Sequence, residues 1–449
     1  MGKYFPAFKA YDVRGIVPTE INPDIAYKVG RAFADEIKPQ KVCIGYDIRL
    51  SGPDLYEALA KGLNDAGVDV VHLGLVGTEM VYFATAFYGY DGGIMITASH
   101  NPPEYNGLKM VRSESRPISG DTGLFEIERR AFEGNWEQTG TGTREEKNVY
   151  ADFVIHLMGI VPPESVGALK ILADAGNGAA GVALEELLPK YPQLDVERRL
   201  FEPDGNFPNG VPNPILEESR AGTEKRLKEE KFDFGVAWDG DYDRCFFFDE
   251  RGIFIEGYYI VGLLAQSILH TEKNARIVYD PRLTWNTIEI VEKLGGEPVL
   301  CKSGHAFIKE KMRAVDAVYG GEMSAHHYFK AHWYCDSGMI PFLLVARLVS
   351  ATGRALGDLV DEMIAAYPCS GEINSKVADV PATIAKVEEK YAEGGTIDRV
   401  DGLSIEYPAW RFNLRGSNTE PVIRLNVETR GDEAMMRAKT EELLAIIRG

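Results

Sequence analysis

Short apolar runs alternate along this chain with longer stretches whose apolar residues recur at helical spacing. The short runs predict buried strands, and the helical spacing predicts amphipathic helices. In the first part of the chain the predicted strands are Lys41–Tyr46, Val68–Leu73 and Gly92–Ala98, and the predicted helices are Asn22–Ile37, Pro53–Ala66 and Glu79–Tyr88. Strands separated by helices are typical of α/β layers with parallel or mixed sheets.

The alternation restarts near Leu169 and again near Arg276. In each of the three stretches a predicted strand ends in an aspartate that is soon followed by a helix: Asp47, Asp174 and Asp280. An aspartate in this place is often only a helix N-cap, so the repeat alone is weak. Together with the length, it predicts three similar mixed-sheet α/β domains at residues 1–146, 147–251 and 252–368, with linkers at 134–147, 250–252 and 367–371.

The last part of the chain has a different pattern. A strand at Glu372–Ala378 and a helix at Pro381–Ala392 are followed by short strands around Arg411–Arg415 and by Pro421–Glu428, which alternates sides in the strand period. A closing amphipathic helix covers Glu433–Ile447. Residues 369–449 therefore predict a smaller α+β domain with an antiparallel sheet.

Charge and cysteine content narrow the classes of partner. The 449 residues carry a formal net charge of −19, which argues against a nucleic-acid or anionic-membrane partner. No apolar stretch has the length of a membrane span, and the N-terminal MGKYFPAFKAYDVRG lacks the apolar core of a signal peptide. Five scattered cysteines without CxxC spacing predict free thiols and a cytoplasmic location.

Ser99 lies in a loop that directly follows a predicted buried strand. The segment Thr97–Pro103 has the sequence TASHNPP, and its two prolines forbid an immediate helix, so it is not the strand-to-helix turn of a hydrolase. A stiff loop suits a hydroxyl that holds a phosphoryl group in one geometry, although an ordinary capping serine is an equal alternative. Lys109 lies ten residues further on and could return to the same pocket.

The second candidate site is the acidic run Asp239-Gly-Asp241-Tyr-Asp243-Arg244, which also follows a predicted strand. Three carboxylates at alternate positions repel one another and need a cation. An EF-hand loop would have similar acidic spacing, but Arg244 stands where that loop needs glycine. A solvated acidic turn is the other alternative. The serine loop and the acidic loop together indicate phosphate carried on a hydroxyl beside a divalent ion.

Two later loops have the composition of ligand sites. KSGH at Lys302–His305 and GGEMSAHH at 320–327 both follow apolar runs and offer groups that bind hydroxyls. The pair His326–His327 could suggest zinc, but no third ligand has useful spacing, so a polar sugar pocket is favoured. RGSNTEP at Arg415–Pro421, with Arg424 beyond it, resembles an anion-binding nest, and an ordinary polar hairpin is its alternative.

Four of these motifs together identify the chain as similar to the α-D-phosphohexomutase family. They are TASHNPPEYNG, DGDYDR, GGEMSAHH and RGSNTEP, joined by KAYDVRG and GYDIRLSG near the N-terminus. The resemblance spans nearly the whole chain and is closest to the bacterial phosphomannomutase/phosphoglucomutase branch. It implies three α/β domains and a smaller fourth domain around a central cleft. The chain departs from many relatives in having Tyr242 where they have glycine.

The resemblance also implies roles for individual residues. Ser99 would carry the phosphoryl group, and Asp239, Asp241 and Asp243 would hold Mg²⁺ with Ser99 as a further ligand. The other catalytic residues that the resemblance implies are Arg14, His100, Lys109, Arg244 and His326. Of these, Lys109 and His326 are the candidates for the general acid or base. The implied substrate-binding residues are Tyr11, Arg282, Lys302, Gly304, His305, Glu322, Ser324, Arg415, Ser417, Asn418, Thr419 and Arg424.

The activity that the resemblance implies is interconversion of hexose 6-phosphate and hexose 1-phosphate, on mannose and glucose, through phospho-Ser99 and a hexose 1,6-bisphosphate that also acts as activator. Such a monomeric enzyme would supply sugar nucleotides for exopolysaccharide or lipopolysaccharide synthesis. A phosphoglucosamine mutase, a Mg²⁺-dependent sugar phosphatase and a non-catalytic sugar-phosphate or Ca²⁺ module are the alternatives. Met323 disfavours the phosphoglucosamine mutase, because glucosamine mutases usually have Gln at this position.

Overall fold

The computed structural model describes residues 3–416 and 422–449 and divides into two compact units. The first unit contains residues up to 254 together with 326–353, and the second contains 255–325 together with the described residues from 354 onward. The chain thus leaves the first unit and returns to it once. We describe each unit by itself.

The first unit begins with a mixed sheet. Its strands are β1 (Val13–Ile16), β2 (Lys41–Tyr46), β3 (Asp69–Leu75), β4 (Gly92–Ile96), β5 (Tyr105–Arg112), β6 (Arg116–Pro117) and β7 (Arg144–Glu146), and its helices are α1 (Pro23–Ile37), α2 (Gly52–Asp65), α3 (Thr78–Phe87) and α4 (Leu124–Glu133). The order is β1-β5-β4-β2-β3-β7, with β6 on β5. β2 runs parallel to β3 and β4, whereas β5 is antiparallel to β1 and β4.

Local sequence explains where this layer begins and what it buries. Asn22 caps α1 by accepting the Ile25 N–H, and Pro23 occupies the first turn, where its missing donor costs nothing. Val29 and Phe33 then pack into a fully buried core with Ile44 and neighbouring strand residues. The predicted linker at 134–147 is partly wrong, because β7 pairs with β3. Its charged, exposed side chains are typical of an edge strand and resemble a linker in sequence.

A second sheet completes this part of the first unit. Its elements are α5 (Tyr150–Ile160), β8 (Leu169–Asp174), α6 (Ala180–Leu187), β9 (Leu194–Arg199), α7 (Glu217–Glu229), β10 (Phe234–Trp238) and β11 (Cys245–Phe248). The order is β11-β10-β8-β9, with β10 antiparallel to β11 and parallel to β8. β11 lies where an EF-hand loop would continue, so the EF-hand alternative is wrong.

The third stretch of the chain builds a parallel arrangement in the second unit. Its elements are α8 (Gly257–Leu269), β12 (Arg276–Tyr279), α9 (Trp285–Lys293), β13 (Glu297–Leu300), α10 (His305–Val315) and β14 (Tyr319–Gly321). β12 lies between β13 and β14 and is parallel to both. The chain then contributes β15 (His327–Phe329), β16 (Cys335–Asp336) and α11 (Met339–Thr352) to the first unit.

The C-terminal part is an antiparallel sheet with helices, as predicted. After α12 (Leu356–Ala366) come β17 (Ile373–Lys376), α13 (Val380–Tyr391), β18 (Thr396–Asp398), β19 (Leu403–Glu406), β20 (Trp410–Gly416), β21 (Val422–Thr429) and α14 (Glu433–Arg448). The strand order is β17-β21-β20-β19-β18, and every pair is antiparallel. The predicted fold class, three α/β domains followed by a smaller α+β domain, is confirmed.

The repeated aspartate has a structural role different from the expected helix cap. In all three places its carboxylate accepts the N–H two residues ahead, over 3.0 Å from Arg49 to Asp47, 2.9 Å from Gly176 to Asp174 and 2.9 Å from Arg282 to Asp280. This Asx turn redirects the chain at the end of a strand. In the first and third repeats it also places an arginine beside the aspartate.

Two further expectations concern cysteines and membranes. The five cysteines are free thiols, as predicted. Among the described helices, none is by itself long and apolar enough to cross a membrane. Met339–Thr352 and Leu356–Ala366 together have the length and composition of a membrane span, but the chain bends by 97° between them.

Candidate active site

The Ser99 loop begins where β4 ends. Thr97 donates its hydroxyl to Asp47 over 2.6 Å and accepts the Ser99 N–H over 2.8 Å, so the start of the loop is fixed from the strand edge. Ser99 is buried and has a φ of +50°, a left-handed backbone that is uncommon for a residue with a side chain. Such strain persists only where the surroundings hold it, and it occurs often at functional sites.

Arg49 is the side chain that holds this loop, and the sequence analysis assigned it no role. Its guanidinium donates to four backbone carbonyls of the loop: Ser99 at 2.9 Å, Asn101 at 2.6 Å, Pro102 at 2.7 Å and Tyr105 at 2.8 Å. The arginine is fully buried beside Asp47, 3.4 Å from its carboxylate. The strand-end spacing Asp-x-Arg, which recurs at Asp280–Arg282, was the signal that could have revealed it.

The acidic run occupies the turn between the antiparallel strands β10 and β11. Ser99 Oγ donates to Asp239 Oδ2 over 2.8 Å, although the two residues are 140 positions apart. Arg244 donates to the same carboxylate oxygen over 2.7 Å and approaches Ser99 Oγ to 3.4 Å. The structure therefore brings the predicted hydroxyl, one predicted carboxylate and one predicted cation together.

Lys109 projects from β5 into the same cluster. Its ammonium lies 2.7 Å from Asp241 and 2.5 Å from Asp243. Burial lowers the pKa of Lys109, but these two carboxylates outweigh it, and the net shift is upward. A lysine held in the charged form is suited to balancing negative charge and poorly suited to accepting a proton.

The carboxylates respond to burial and to their neighbours. Burial raises the pKa of Asp239, and Arg244 opposes this rise. Burial and Asp243 also raise the pKa of Asp241, but the interactions with Lys109 and a hydrogen bond from Thr78 outweigh them, and its net shift is downward. Three buried carboxylates thus face the cations Lys109 and Arg244.

The donor set of this cluster fits a divalent cation. One oxygen from each of Asp239, Asp241 and Asp243 lies within 4.8 Å of the others. The second Asp241 oxygen, Oδ1, is buried and has no hydrogen-bond partner within residues 3–416 and 422–449. A buried carboxylate oxygen left in this way is costly unless a cation approaches it. The cluster can therefore bind a metal ion.

Two further predicted residues flank Ser99. His100 Nδ1 lies 3.1 Å from Ser99 Oγ and also contacts the Arg244 guanidinium. Burial, Arg244 and Arg14 lower the pKa of His100 well below its ordinary value, so this imidazole is neutral near pH 7. Arg14 donates to the Asn101 side chain over 2.8 Å. Tyr11 lies half-buried shortly before β1.

His326 belongs to the same unit as the acidic cluster. Its backbone bridges to Arg244, and its Nε2 lies 3.9 Å from Asp243. Among the described residues, His326 groups with Asp243 and Asp336, and its sequence neighbour His327 takes no part in that group. The sequence offered no third ligand at useful spacing, whereas the structure places two carboxylates near His326.

The second unit brings the predicted sugar-binding residues together. Glu322 Oε1 accepts the Gly304 N–H over 2.9 Å, so the loops after β13 and β14 are joined. Arg282 lies 3.5 Å from Glu322 and 3.4 Å from the Ser324 hydroxyl, and its guanidinium is paired with Asp280 at 2.8 Å. The result is a cluster of polar groups around an arginine whose position is fixed by Asp280.

The other predicted residues of these loops lie nearby in sequence. The Lys302 ammonium lies 3.3 Å from the centre of the Phe307 ring, and His305 begins α10 and is half-buried. Gly304 has a φ of +123°, which a side chain would strain, and it precedes the helix. Ser417, Asn418 and Thr419 lie outside the described residues.

Arg415 and Arg424 converge on a residue that the sequence analysis missed. Glu372 lies 3.2 Å from Arg415, 3.4 Å from Arg424 and 3.6 Å from Arg282. Burial raises the pKa of Glu372, but the three guanidinium groups outweigh it and lower the pKa overall. Glu372 thus holds three guanidinium groups together, and Arg282 and Arg415 have further carboxylate partners in Asp280 and Asp401. Guanidinium groups gathered in this way can donate to an anion such as phosphate. No motif pointed to Glu372, because its partners are distant in sequence.

Family models match nearly the whole chain. The alpha/beta/alpha domains I, II and III of phosphoglucomutase/phosphomannomutase match residues 6–138, 148–252 and 256–367, and the C-terminal domain matches 372–445. The chain belongs to the phosphoglucomutase/phosphomannomutase family. It is therefore a mutase, an isomerase in class.

Individual relatives cover this family member from end to end. A protein of Xanthomonas campestris pv. campestris strain B100 named "Phosphohexose mutases" is 54% identical over 99% of both chains. The phosphomannomutase of Escherichia coli strain K12 is 51% identical over 99% of both chains. A crystal structure of a phosphoglucomutase/phosphomannomutase family protein from Burkholderia thailandensis aligns with a TM-score of 0.87 at 33% identity, over 98% of this chain and 97% of that one.

Proposed function

We propose that this mutase interconverts mannose 6-phosphate and mannose 1-phosphate, and the corresponding glucose phosphates, through phospho-Ser99. The observation on which the proposal rests is the 2.8 Å contact between Ser99 Oγ and Asp239 within a buried carboxylate cluster. A reactive hydroxyl beside a cation site is the arrangement that phosphoryl transfer needs. The relatives named phosphomannomutase support the choice of mannose.

The proposed metal is Mg²⁺, held by Asp239, Asp241 and Asp243 and by a phosphate oxygen on Ser99. Oxygen ligands of this kind are what Mg²⁺ prefers. When bound, the ion would neutralise charge on the transferred phosphoryl group. Arg244, which already approaches Ser99 Oγ, would stabilise the same charge from the protein side, and Lys109 would hold Asp241 and Asp243 in place.

The first transfer would break the bond between phosphorus and the Ser99 oxygen and form a bond to a free hydroxyl of the hexose phosphate. We assign His326 as the group that takes the hydroxyl proton, because Lys109 is held in its charged form. Arg244 would stabilise the leaving Ser99 oxygen, and the proton taken by His326 would then be returned to that oxygen. The hexose 1,6-bisphosphate would then turn around and return its other phosphate to Ser99, and free bisphosphate would act as activator.

Substrate binding is assigned to the groups of the second unit. Glu322 and Ser324 would bind sugar hydroxyls, since Glu322 is an acceptor fixed by the Gly304 N–H. The phosphate that is not transferred would be bound by Arg282, Arg415 and Arg424, which converge on Glu372. Tyr11, Arg14, His100, Lys302 and His305 remain predicted contacts, as do Ser417, Asn418 and Thr419.

Several broader expectations go with this proposal. We infer a cytoplasmic monomer whose partners are hexose phosphates, without nucleic acid or membrane, and whose product supplies sugar-nucleotide and surface-polysaccharide synthesis. The free thiols support a reducing compartment, and the net charge of −19 supports the absence of anionic macromolecular partners.

Two measurements test the function. Coupled assays with mannose 1-phosphate, glucose 1-phosphate and glucosamine 1-phosphate should show turnover of the first two. Preferred turnover of the glucosamine ester would establish the phosphoglucosamine mutase alternative, and stoichiometric release of inorganic phosphate would establish the phosphatase. Intact mass spectrometry should find one phosphate that is lost in Ser99→Ala, and a phosphate retained at full occupancy in that variant would contradict the assignment of Ser99.

A further inference from the structure

Tyr242 occupies the middle of the acidic loop in a conformation that side chains rarely adopt. Its φ is +44°, in the left-handed region, and its ring is completely buried. A tyrosine in this conformation has to be held by its surroundings. Because Tyr242 lies between two metal-binding candidates in the sequence, Asp241 and Asp243, whatever holds its ring also fixes the backbone that presents both carboxylates.

The Tyr242 hydroxyl reaches the N-terminal end of α3. It accepts the Gly77 N–H over 3.0 Å, and Gly77 is the residue immediately before that helix. The contact is close along the whole ring edge, since a Cβ added at Gly77 would lie 2.2 Å from a Tyr242 ring carbon. Gly77 is therefore a position where only a glycine lets the ring approach.

The next residue, Thr78, contacts the carboxylate that the cation needs. The Thr78 N–H donates to the Asp241 backbone carbonyl over 3.1 Å, and its hydroxyl donates to Asp241 Oδ2. Oδ2 also accepts the Lys109 ammonium, so the other oxygen, Oδ1, is the one left for a cation. The direction in which Oδ1 faces depends on where Thr78 holds the carboxylate.

We propose that Tyr242 is a positioning residue for the divalent cation: by holding Gly77 it keeps Thr78 on Asp241 and presents Asp241 Oδ1 in a fixed direction. The proposal depends on the cation site of the proposed function and not on the identity of the sugar. A carboxylate oriented before binding loses less conformational freedom when the ion arrives, and this raises affinity.

The variant Tyr242→Phe removes the hydroxyl and retains the buried ring. Mn²⁺ alone serves as the probe, and its dissociation constant is measured by electron paramagnetic resonance on the full chain without substrate. Loss of one buried hydrogen bond should raise the Mn²⁺ dissociation constant about three- to tenfold. Thr78→Val should raise it as well, and the double variant should fall short of the product of the two effects, because both act through the same carboxylate.

Tyr191→Phe is the matched control. Tyr191 is also completely buried in the first unit, and its hydroxyl donates to the Val161 carbonyl over 2.5 Å, away from the acidic loop. Tyr191→Phe should lower the melting temperature about as much as Tyr242→Phe does, but it should leave the Mn²⁺ affinity unchanged. Wild-type Mn²⁺ affinity in Tyr242→Phe would overturn the proposal. Unchanged Mn²⁺ binding in Asp241→Asn would instead refute the cation site itself, so the two failures are distinguishable.

Discussion

The Arg49 guanidinium donates to the backbone carbonyl of Ser99 over 2.9 Å, and the two residues are fifty positions apart in the sequence. The backbone of the strained serine is thus held by a buried arginine, which also donates to three further loop carbonyls. This relationship gives the loop its shape even before any ligand binds.

Arg49→Ala should destabilise the protein strongly. It leaves Asp47 buried without its cation and removes donors from four carbonyls, so we expect a loss of about 3–5 kcal/mol in the free energy of unfolding. Urea denaturation measures this change. Arg437→Ala, which breaks an exposed pair with Glu433, should change stability by no more than about 0.5 kcal/mol. Equal losses in the two variants would contradict the role of Arg49.

Asp241→Asn should weaken the affinity for Mg²⁺ without unfolding the protein. Loss of one anionic ligand from the cluster should raise the Mg²⁺ concentration for half-maximal rate by at least about tenfold. The measurement is an activity titration with Mg²⁺. Asp249→Asn is the control, because Asp249 is equally buried but is paired with Arg251 outside the cluster. An unchanged titration in Asp241→Asn would remove this residue from the site.

Glu372→Gln should affect substrate binding more than turnover. Without its carboxylate, Arg282, Arg415 and Arg424 repel one another and lose a common partner, so we expect KM for hexose phosphate to rise about fivefold or more with kcat little changed. Glu372→Asp should restore part of the loss. Glu388→Gln, which loses only a pair with Arg399 near the surface, should behave as wild type. A fall confined to kcat would refute the interpretation.

His327 should make stability depend on pH. Burial lowers the pKa of His327 to about 3, whereas an unfolded histidine titrates near 6.5. Between these values the unfolded state binds more protons, so stability is lost as the pH falls from about 6.5 toward 3. From pH 8 to pH 5 this histidine should account for a loss of about 2 kcal/mol.

The measurement is the difference in free energy of unfolding between His327→Gln and the parent at the two pH values. The variant should lose less stability on acidification than the parent does. His270→Gln, at an exposed position, should follow the parent. Parallel pH profiles for His327→Gln and the parent would show that His327 does not titrate in this window.

The periodicity of hydrophobic residues was sufficient to predict most strands of the sheets, but it failed to predict particular helices. The strands β2 and β10 and the closing helix α14 follow directly from their patterns. The helix α8 was not predicted, because its residues are apolar and buried on almost every side and therefore show no polar face. The helix α7 was missed for the opposite reason, since its residues are almost all polar and form no apolar stripe.

The sequence by itself determined the local chemistry of this protein: a proline-stiffened serine loop, an acidic turn and an arginine loop, each defined by neighbours along the chain. Only the tertiary structure decided which groups meet. Ser99 and Asp239 come together because β4 and β10 belong to sheets of one unit, and Glu372 collects arginines from distant segments. Contacts between residues far apart depend on how packed layers place strand ends, and no local pattern records that placement.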